Sequence, residues 1–141
     1  MSQYLEQFRS PLKGIMRWEH WTALLEALKE RNDGKWYVYY VGEEVPEIPV
    51  EHADFSRFID EFDKLLRREH DEGYFGIAYT DDRENPSFIK VYDPSNLGAS
   101  CGSVGHEVLP GWTLSRDKPT DLADHIENPA NRRRWWSRLF S

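Results

Sequence analysis

Residues 54–70, DFSRFIDEFDKLLRREH, form the stretch that decides the fold of this chain. Its apolar side chains recur at intervals of three and four, which places Phe55, Phe58, Ile59, Phe62, Leu65 and Leu66 on one helical face. Charged side chains occupy the opposite face, as on a helix surface that meets water. Gly73 lies where such a helix would end. The pattern predicts an amphipathic helix from about Asp54 to His70 that forms the centre of the core.

A helix with the same kind of stripe is predicted earlier, from about Trp18 to Arg31. Its apolar face would hold Trp21, Leu24, Leu25 and Leu28. The sequence Asn32-Asp33-Gly34 is typical of a helix end. The next run, KWYVYYV at residues 35–41, is β-branched or aromatic on both faces, which is typical of a strand covered on both sides. We expect this strand to be central in the sheet.

Two further strands, residues 74–80 and 87–93, flank a polar connector, DDRENP, and should form an antiparallel hairpin. Residues 107–115 could return as a fourth strand, which Pro110 would confine to a sheet edge or a bulge. Residues 119–127 predict a short helix. The element order indicates an α+β domain in which a mainly antiparallel sheet of about four strands packs against two amphipathic helices, with a short C-terminal helical segment.

Charge divides the chain into two parts. The 141 residues include 18 basic and 25 acidic side chains, a net charge of −7. Four of the basic side chains lie in residues 130–141, which contain no acid, so residues 1–129 hold 14 basic and 25 acidic side chains, a net −11. We therefore expect one acidic domain over residues 1–129 and a basic, aromatic segment over 130–141. A field of this sign repels nucleic acid, so we expect none as a partner.

Several chemistries are disfavoured by composition. Cys101 is the only cysteine, which excludes an internal disulfide framework and a zinc site of several thiolates. The five histidines are dispersed, and no residues converge on a catalytic pattern. We assign no catalytic residue, metal or cofactor. The sequence shows neither a secretory signal nor a membrane span, so we expect a cytoplasmic protein.

The most unusual local sequence is the loop at residues 96–106, NLGASCGSVGH. Its glycines would let the backbone approach a small molecule closely, and the ligand-binding candidates are Cys101, Ser103 and His106. His106 could activate the Cys101 thiol as a nucleophile. The favoured interpretation is a connector with a passive cysteine, and the loop lacks the Lys-Ser/Thr of a phosphate-binding loop.

Aromatic and acidic residues are the best candidates for contacts with a protein partner. The strands carry more Trp and Tyr than a small core requires, so part of this set could line a groove, with Trp36 and Tyr39 as the candidates on the first strand. Asp81 and Asp82 of the hairpin connector, together with the glutamates of residues 43–51, would suit a basic partner. The alternative is an ordinary aromatic core surrounded by solvated acidic loops.

The chain ends with RRRWWSRLF at residues 132–140. In a helix, Trp135 and Trp136 would share a stripe with Leu139 and Phe140, and Arg134 and Arg138 would border it. Such a segment could dock onto the acidic body of its own chain, onto a partner protein, or onto an anionic membrane, of which the membrane is the least favoured.

The favoured function is that of a small soluble interaction or regulatory domain that recognises a protein through acidic loops and an aromatic-rich sheet surface. The alternative is a small enzyme or small-molecule-binding protein that uses the loop Gly98–His106 with Cys101. The sequence leaves the partner and the oligomeric state open.

Overall fold

The computed structural model describes residues 3–94 and 109–122. Within these ranges the helices are α1 (Gln3–Arg9), α2 (Trp18–Glu30) and α3 (His52–Glu69). The strands are β1 (Lys13–Ile15), β2 (Tyr37–Tyr40), β3 (Ala78–Thr80), β4 (Phe88–Val91) and β5 (Trp112–Ser115). They form one antiparallel sheet in the order β1-β3-β4-β5-β2. The predicted α+β class is confirmed, with one strand more than the four expected.

The two predicted amphipathic helices cover one face of the sheet. Their stripes meet apolar side chains that alternate along the strands, such as Ile89 and Leu114. Trp21 of α2 stacks on Phe75, with ring centroids 4.7 Å apart, and packs edge-on against Phe62 of α3. Trp21 Nε1 also donates a hydrogen bond to Asp63 of α3 at 3.0 Å. The contacts of this one tryptophan therefore join both helices to the core.

The N-terminal helix α1, which the sequence analysis did not predict, packs on the opposite face of the sheet. Tyr4, Leu5 and Phe8 are buried there against Tyr39 and Phe88. The Tyr4 hydroxyl and Thr113 Oγ1 of β5 form a buried hydrogen bond of 2.7 Å. Burial raises the pKa of Tyr4 well above its usual range, and the bond to Thr113 opposes only part of that effect. The strands beneath α1 are consequently covered on both faces.

The positions of two strands differ from the expectation. Strand β2 lies at the sheet edge and not at its centre. Both of its faces are covered because Val38 packs in the layer of α2 and α3 while Tyr39 packs in the layer of α1. Strand β5 lies between β4 and β2 and not at an edge, since Pro110 precedes its first residue, Trp112.

The hairpin prediction is confirmed, because β3 and β4 pair antiparallel with Tyr79 opposite Lys90. The predicted helix over residues 119–127 and the C-terminal segment fall mostly or wholly outside the described residues.

The substitution Phe62→Ala tests the central role of α3. Phe62 is 3% exposed and lies between the rings of Trp21, Phe58 and Trp112. Its loss leaves a cavity and should lower the free energy of unfolding by about 3–5 kcal/mol in urea denaturation. The control is Ile48→Ala, at a side chain that is 74% exposed, which should change it by less than about 0.5 kcal/mol. A loss below about 1 kcal/mol for Phe62→Ala would place α3 at the periphery of the core.

The substitution Tyr4→Phe tests how α1 is anchored. It leaves the buried hydroxyl of Thr113 without this bond, so we expect a loss of about 1–2 kcal/mol in the free energy of unfolding. The double variant Tyr4→Phe/Thr113→Val removes both polar groups and should lose less than the two single variants together. Strict additivity in this cycle would show that the two hydroxyls do not interact.

Candidate functional site

Trp36 and Tyr39, two of the predicted partner contacts, are fully buried. Trp36 stacks on Phe55 of α3, with centroids 5.7 Å apart, and its Nε1 donates to the carbonyl oxygen of Arg31 at 3.2 Å. Tyr39 lies in the cluster beneath α1. Because both faces of β2 are covered, a partner cannot reach either side chain in this conformation.

Asp81 shapes the β3–β4 hairpin. One of its oxygens accepts hydrogen bonds from the backbone N–H groups of Ser87 and Phe88 at 3.0 and 3.1 Å, and the other accepts one from the Ser87 hydroxyl. Burial raises the pKa of Asp81, but these bonds from Ser87 and Phe88, with one from Thr80, outweigh burial and lower it overall. The carboxylate is thus used within the fold, although the sequence suggested a group free for recognition.

Asp82 has a similar local role. Its Oδ1 accepts hydrogen bonds from the backbone N–H groups of Glu84 and Asn85 at 2.9 and 3.2 Å, and these two bonds lower its pKa. This is the side-chain turn that Asp favours in tight connections. Both aspartates of the connector DDRENP therefore hold the turn in its conformation.

The remaining candidates lie outside the described residues. They are the ligand-binding candidates Cys101, Ser103 and His106 and the partner-binding candidates Arg134, Trp135, Trp136 and Arg138. These assignments stay predictions.

One described surface is aromatic and only partly covered. Helix α1 has only seven residues, about 10 Å, and its buried side chains pack in one cluster with Phe88 of β4 and Tyr39 of β2. On the α1 side of the sheet, toward β1 and β3, Tyr79 and Tyr92 are half-buried and their rings meet edge to face at 6.0 Å. Lys90 Nζ lies 5.5 Å from the Tyr79 ring, 5.6 Å from Tyr92 and 4.9 Å from Phe8 of α1.

Two exposed apolar side chains lie at the end of β1 next to this surface, where Phe75 N donates to Met16 O and Gly76 N donates to Ile15 O. Met16 and Tyr79 lie over Gly14, where an added Cβ would come within 2.5 Å of Met16 Cε. Tyr74 lies over Gly76, whose positive φ of 67° suits glycine, and an added Cβ there would be 2.8 Å from the Tyr74 ring. Tyr74 is 62% exposed and Met16 43% exposed. We call Met16, Tyr74, Tyr79, Lys90 and Tyr92 the tyrosine surface.

A second surface is acidic. Residues 36–56 contain five acidic side chains and no Lys or Arg. Glu47 pairs with Lys118 at 2.8 Å, and Asp54 pairs with Arg57 at 2.8 Å. Within the described residues, the other three form no ion pair: Glu43, Glu44 and Glu51.

Exposed apolar side chains accompany these acids. Tyr40 is 49% exposed and stacks on Trp112 of β5, with ring centroids 5.5 Å apart, and Ile48 is 74% exposed. The loop that follows β2 stays beside the strand, because Glu43 N donates to Tyr40 O and Val50 N donates to Trp36 O. We call Tyr40, Glu43, Glu44, Ile48 and Glu51 the acidic edge.

An ion pair fixes the neighbouring end of the sheet. Arg116, just after β5, donates to both carboxylate oxygens of Asp33 at 2.7 and 3.2 Å, and its guanidinium lies over the Trp36 ring. The bond from Arg116, aided by the backbone N–H of Lys35, lowers the pKa of Asp33 to about 2 in spite of some desolvation. This pair ties the α2–β2 turn to the end of β5.

No protein-family model, curated protein or solved structure matches the chain. Within residues 3–94 and 109–122, no group of three or more His, Cys, Asp or Glu side chains could hold a metal ion. None of the helices in those ranges is both long and apolar enough to cross a membrane.

The pair between Asp33 and Arg116 predicts a specific acid sensitivity. The pKa of Asp33 lies at about 2 in the folded chain and near 3.8 when unperturbed, so its contribution is complete above about pH 4 and is lost as the pH falls toward 2. In urea titrations over this window, the unfolding free energy should fall less steeply for Asp33→Asn than for the native chain. The control Glu26→Gln, at an exposed acid of α2, should keep the native slope. Equal slopes for Asp33→Asn and the native chain would show that the pair does not contribute to folding stability.

Proposed function

We propose that this chain is a protein-interaction domain and that its partner contacts the tyrosine surface. The observation that carries the proposal is that exposed Met16 lies beside the half-buried Tyr79 and Tyr92 rings, with exposed Tyr74 on the segment bonded to the end of β1, where α1 does not bury the sheet. Tyr and Met are enriched in protein interfaces, where large side chains with an apolar body supply most of the binding energy.

The tyrosine rings of this surface are already ordered, which also supports a function in binding a protein. The Tyr79 and Tyr92 rings already pack against each other and against Lys90, so a partner would order few additional rotamers on binding them. Met16 has a flexible thioether chain that can adapt to the shape of a partner. Lys90 Nζ lies within 5.6 Å of both tyrosine rings, so its cation helps to hold them in place.

The alternative function, a small enzyme or small-molecule-binding protein that uses the loop Gly98–His106, rests on residues outside the described ranges and stays a prediction. We also propose the cytoplasm as the compartment.

The proposal is tested with the double variant Met16→Ala/Tyr74→Ala. Both side chains are largely exposed, so the melting temperature should change little, whereas the loss of two interface anchors should weaken partner binding by roughly tenfold or more. The control is Glu26→Ala, which truncates an exposed side chain of α2 outside both the tyrosine surface and the acidic edge.

The measurement has two stages. Immobilised native chain, double variant and control are exposed to native lysate, and mass spectrometry identifies proteins that the native chain and the control retain but the double variant does not. Each such protein is then purified and titrated calorimetrically against all three. A purified partner that binds the double variant as tightly as the native chain would contradict the assignment of this surface.

A further inference from the structure

The acidic edge combines carboxylates with exposed apolar side chains, and one kind of ligand can bind both. Three of its carboxylates, Glu43, Glu44 and Glu51, form no ion pair within the described residues, and Tyr40 and Ile48 expose apolar area beside them. A suitable ligand carries several cations together with large apolar side chains, since each feature alone binds weakly in water.

The chain itself contains such a segment. Residues 130–141 hold four arginines, two tryptophans, Leu139 and Phe140, with no acid. The guanidinium of arginine binds carboxylates through paired hydrogen bonds and also stacks on aromatic rings such as that of Tyr40. The tryptophans supply the apolar area that would cover Tyr40 and Ile48.

The path of the chain brings the segment within reach of the acidic edge. Leu122, at the end of the described residues, is buried in the cluster that contains Tyr39, and Val41 and Val45 pack against this cluster. Val41 and Val45 flank Glu43 and Glu44 in the sequence. The eight residues from 122 to 130 can span up to about 26–29 Å, so the segment has a high effective concentration at the edge of its own chain.

The tyrosine surface is a poorer site for this segment. It contains the cation Lys90 and no acidic side chain, so it offers the arginines no carboxylate. We propose that residues 130–141 bind the acidic edge of the same chain and leave the tyrosine surface open. A basic partner would then have to displace this segment to reach the glutamates.

Limited trypsin digestion of the full chain tests the proposal, because trypsin cleaves after Arg132, Arg133 and Arg134 and a bound segment is protected. Mass spectrometry follows release of the C-terminal peptides. The variant Glu43→Gln/Glu44→Gln removes two of the proposed ion pairs and should be cleaved about three- to tenfold faster than the native chain. The control Glu26→Gln/Glu30→Gln changes the net charge equally at exposed positions of α2 and should stay within about twofold of it.

A second variant tests the contact with the acidic edge by changing residues 130–141. Trp135→Ala/Trp136→Ala should also accelerate cleavage, and its combination with Glu43→Gln/Glu44→Gln should add little, because either pair of changes already releases the segment. Raising NaCl from about 50 to about 500 mM should accelerate cleavage of the native chain more than that of the glutamate variant.

Three results would overturn the proposal. The first is cleavage of the glutamate variant at the native rate. The second is protection that disappears on a dilution of about 100-fold, which would show binding between two copies and not within one. The third is protection only after phosphatidylserine-containing vesicles are added, equal in the native chain and the glutamate variant, which would identify a membrane as the binding site.

Discussion

Helix α1 covers only part of the sheet on its side, and this limit decides which side chains of that face are core and which are surface. Its buried side chains pack with Phe88 of β4 and Tyr39 of β2. The consequence is visible along one row of paired residues that crosses all five strands: Gly14, Tyr79, Lys90, Thr113 and Tyr39. The Thr113 and Tyr39 end is fully buried under α1, while the Gly14 and Tyr79 end is only half-buried. The same face of one sheet is thus core at one end and surface at the other.

The two candidate surfaces differ in the sign of their charge. Lys90 lies within the tyrosine surface, whereas three glutamates lie within the acidic edge. All four large apolar side chains that are exposed among the described residues belong to one of these surfaces: Met16 and Tyr74 to the first, Tyr40 and Ile48 to the second. Opposite charges let two apolar sites on one small domain select different ligands. Our proposals therefore assign a partner to one site and the chain's own C-terminal segment to the other.

Periodicity predicted the parts of the fold that are long enough to show it. The stripes of α2 and α3 and the pairing of β3 with β4 follow from the sequence because three helical turns or two alternating runs leave an unambiguous pattern. Helix α1 offers only Tyr4, Leu5 and Phe8, and β1 has only three residues, so neither rises above chance in a single sequence. The apolar residues on both faces of β2 predict a central strand. In the structure β2 lies at the edge, and α1 covers its second face.

The candidate sites could be predicted less well than the fold. Residue type indicated aromatic and acidic surfaces, but Trp36 is buried against Phe55 of α3 and Tyr39 is buried in the cluster beneath α1, contacts that only the folded chain shows. Asp81 shows the same limit, because its role depends on backbone N–H groups six and seven residues away. Glu43 and Glu44 were visible as a charge cluster, whereas their lack of ion-pair partners among the described residues required the folded chain.

The cover over the α1 side of the sheet is incomplete, and the accessibility of the tyrosine rings measures this directly. In the full chain, a soluble paramagnetic probe broadens NMR signals of tyrosine rings in proportion to their exposure. We expect strong broadening for Tyr74, intermediate broadening for Tyr79 and Tyr92, and none for Tyr4 and Tyr39. Tyr79 and Tyr92 rings as protected as those of Tyr4 and Tyr39 would show that this part of the sheet is covered, and would contradict the account.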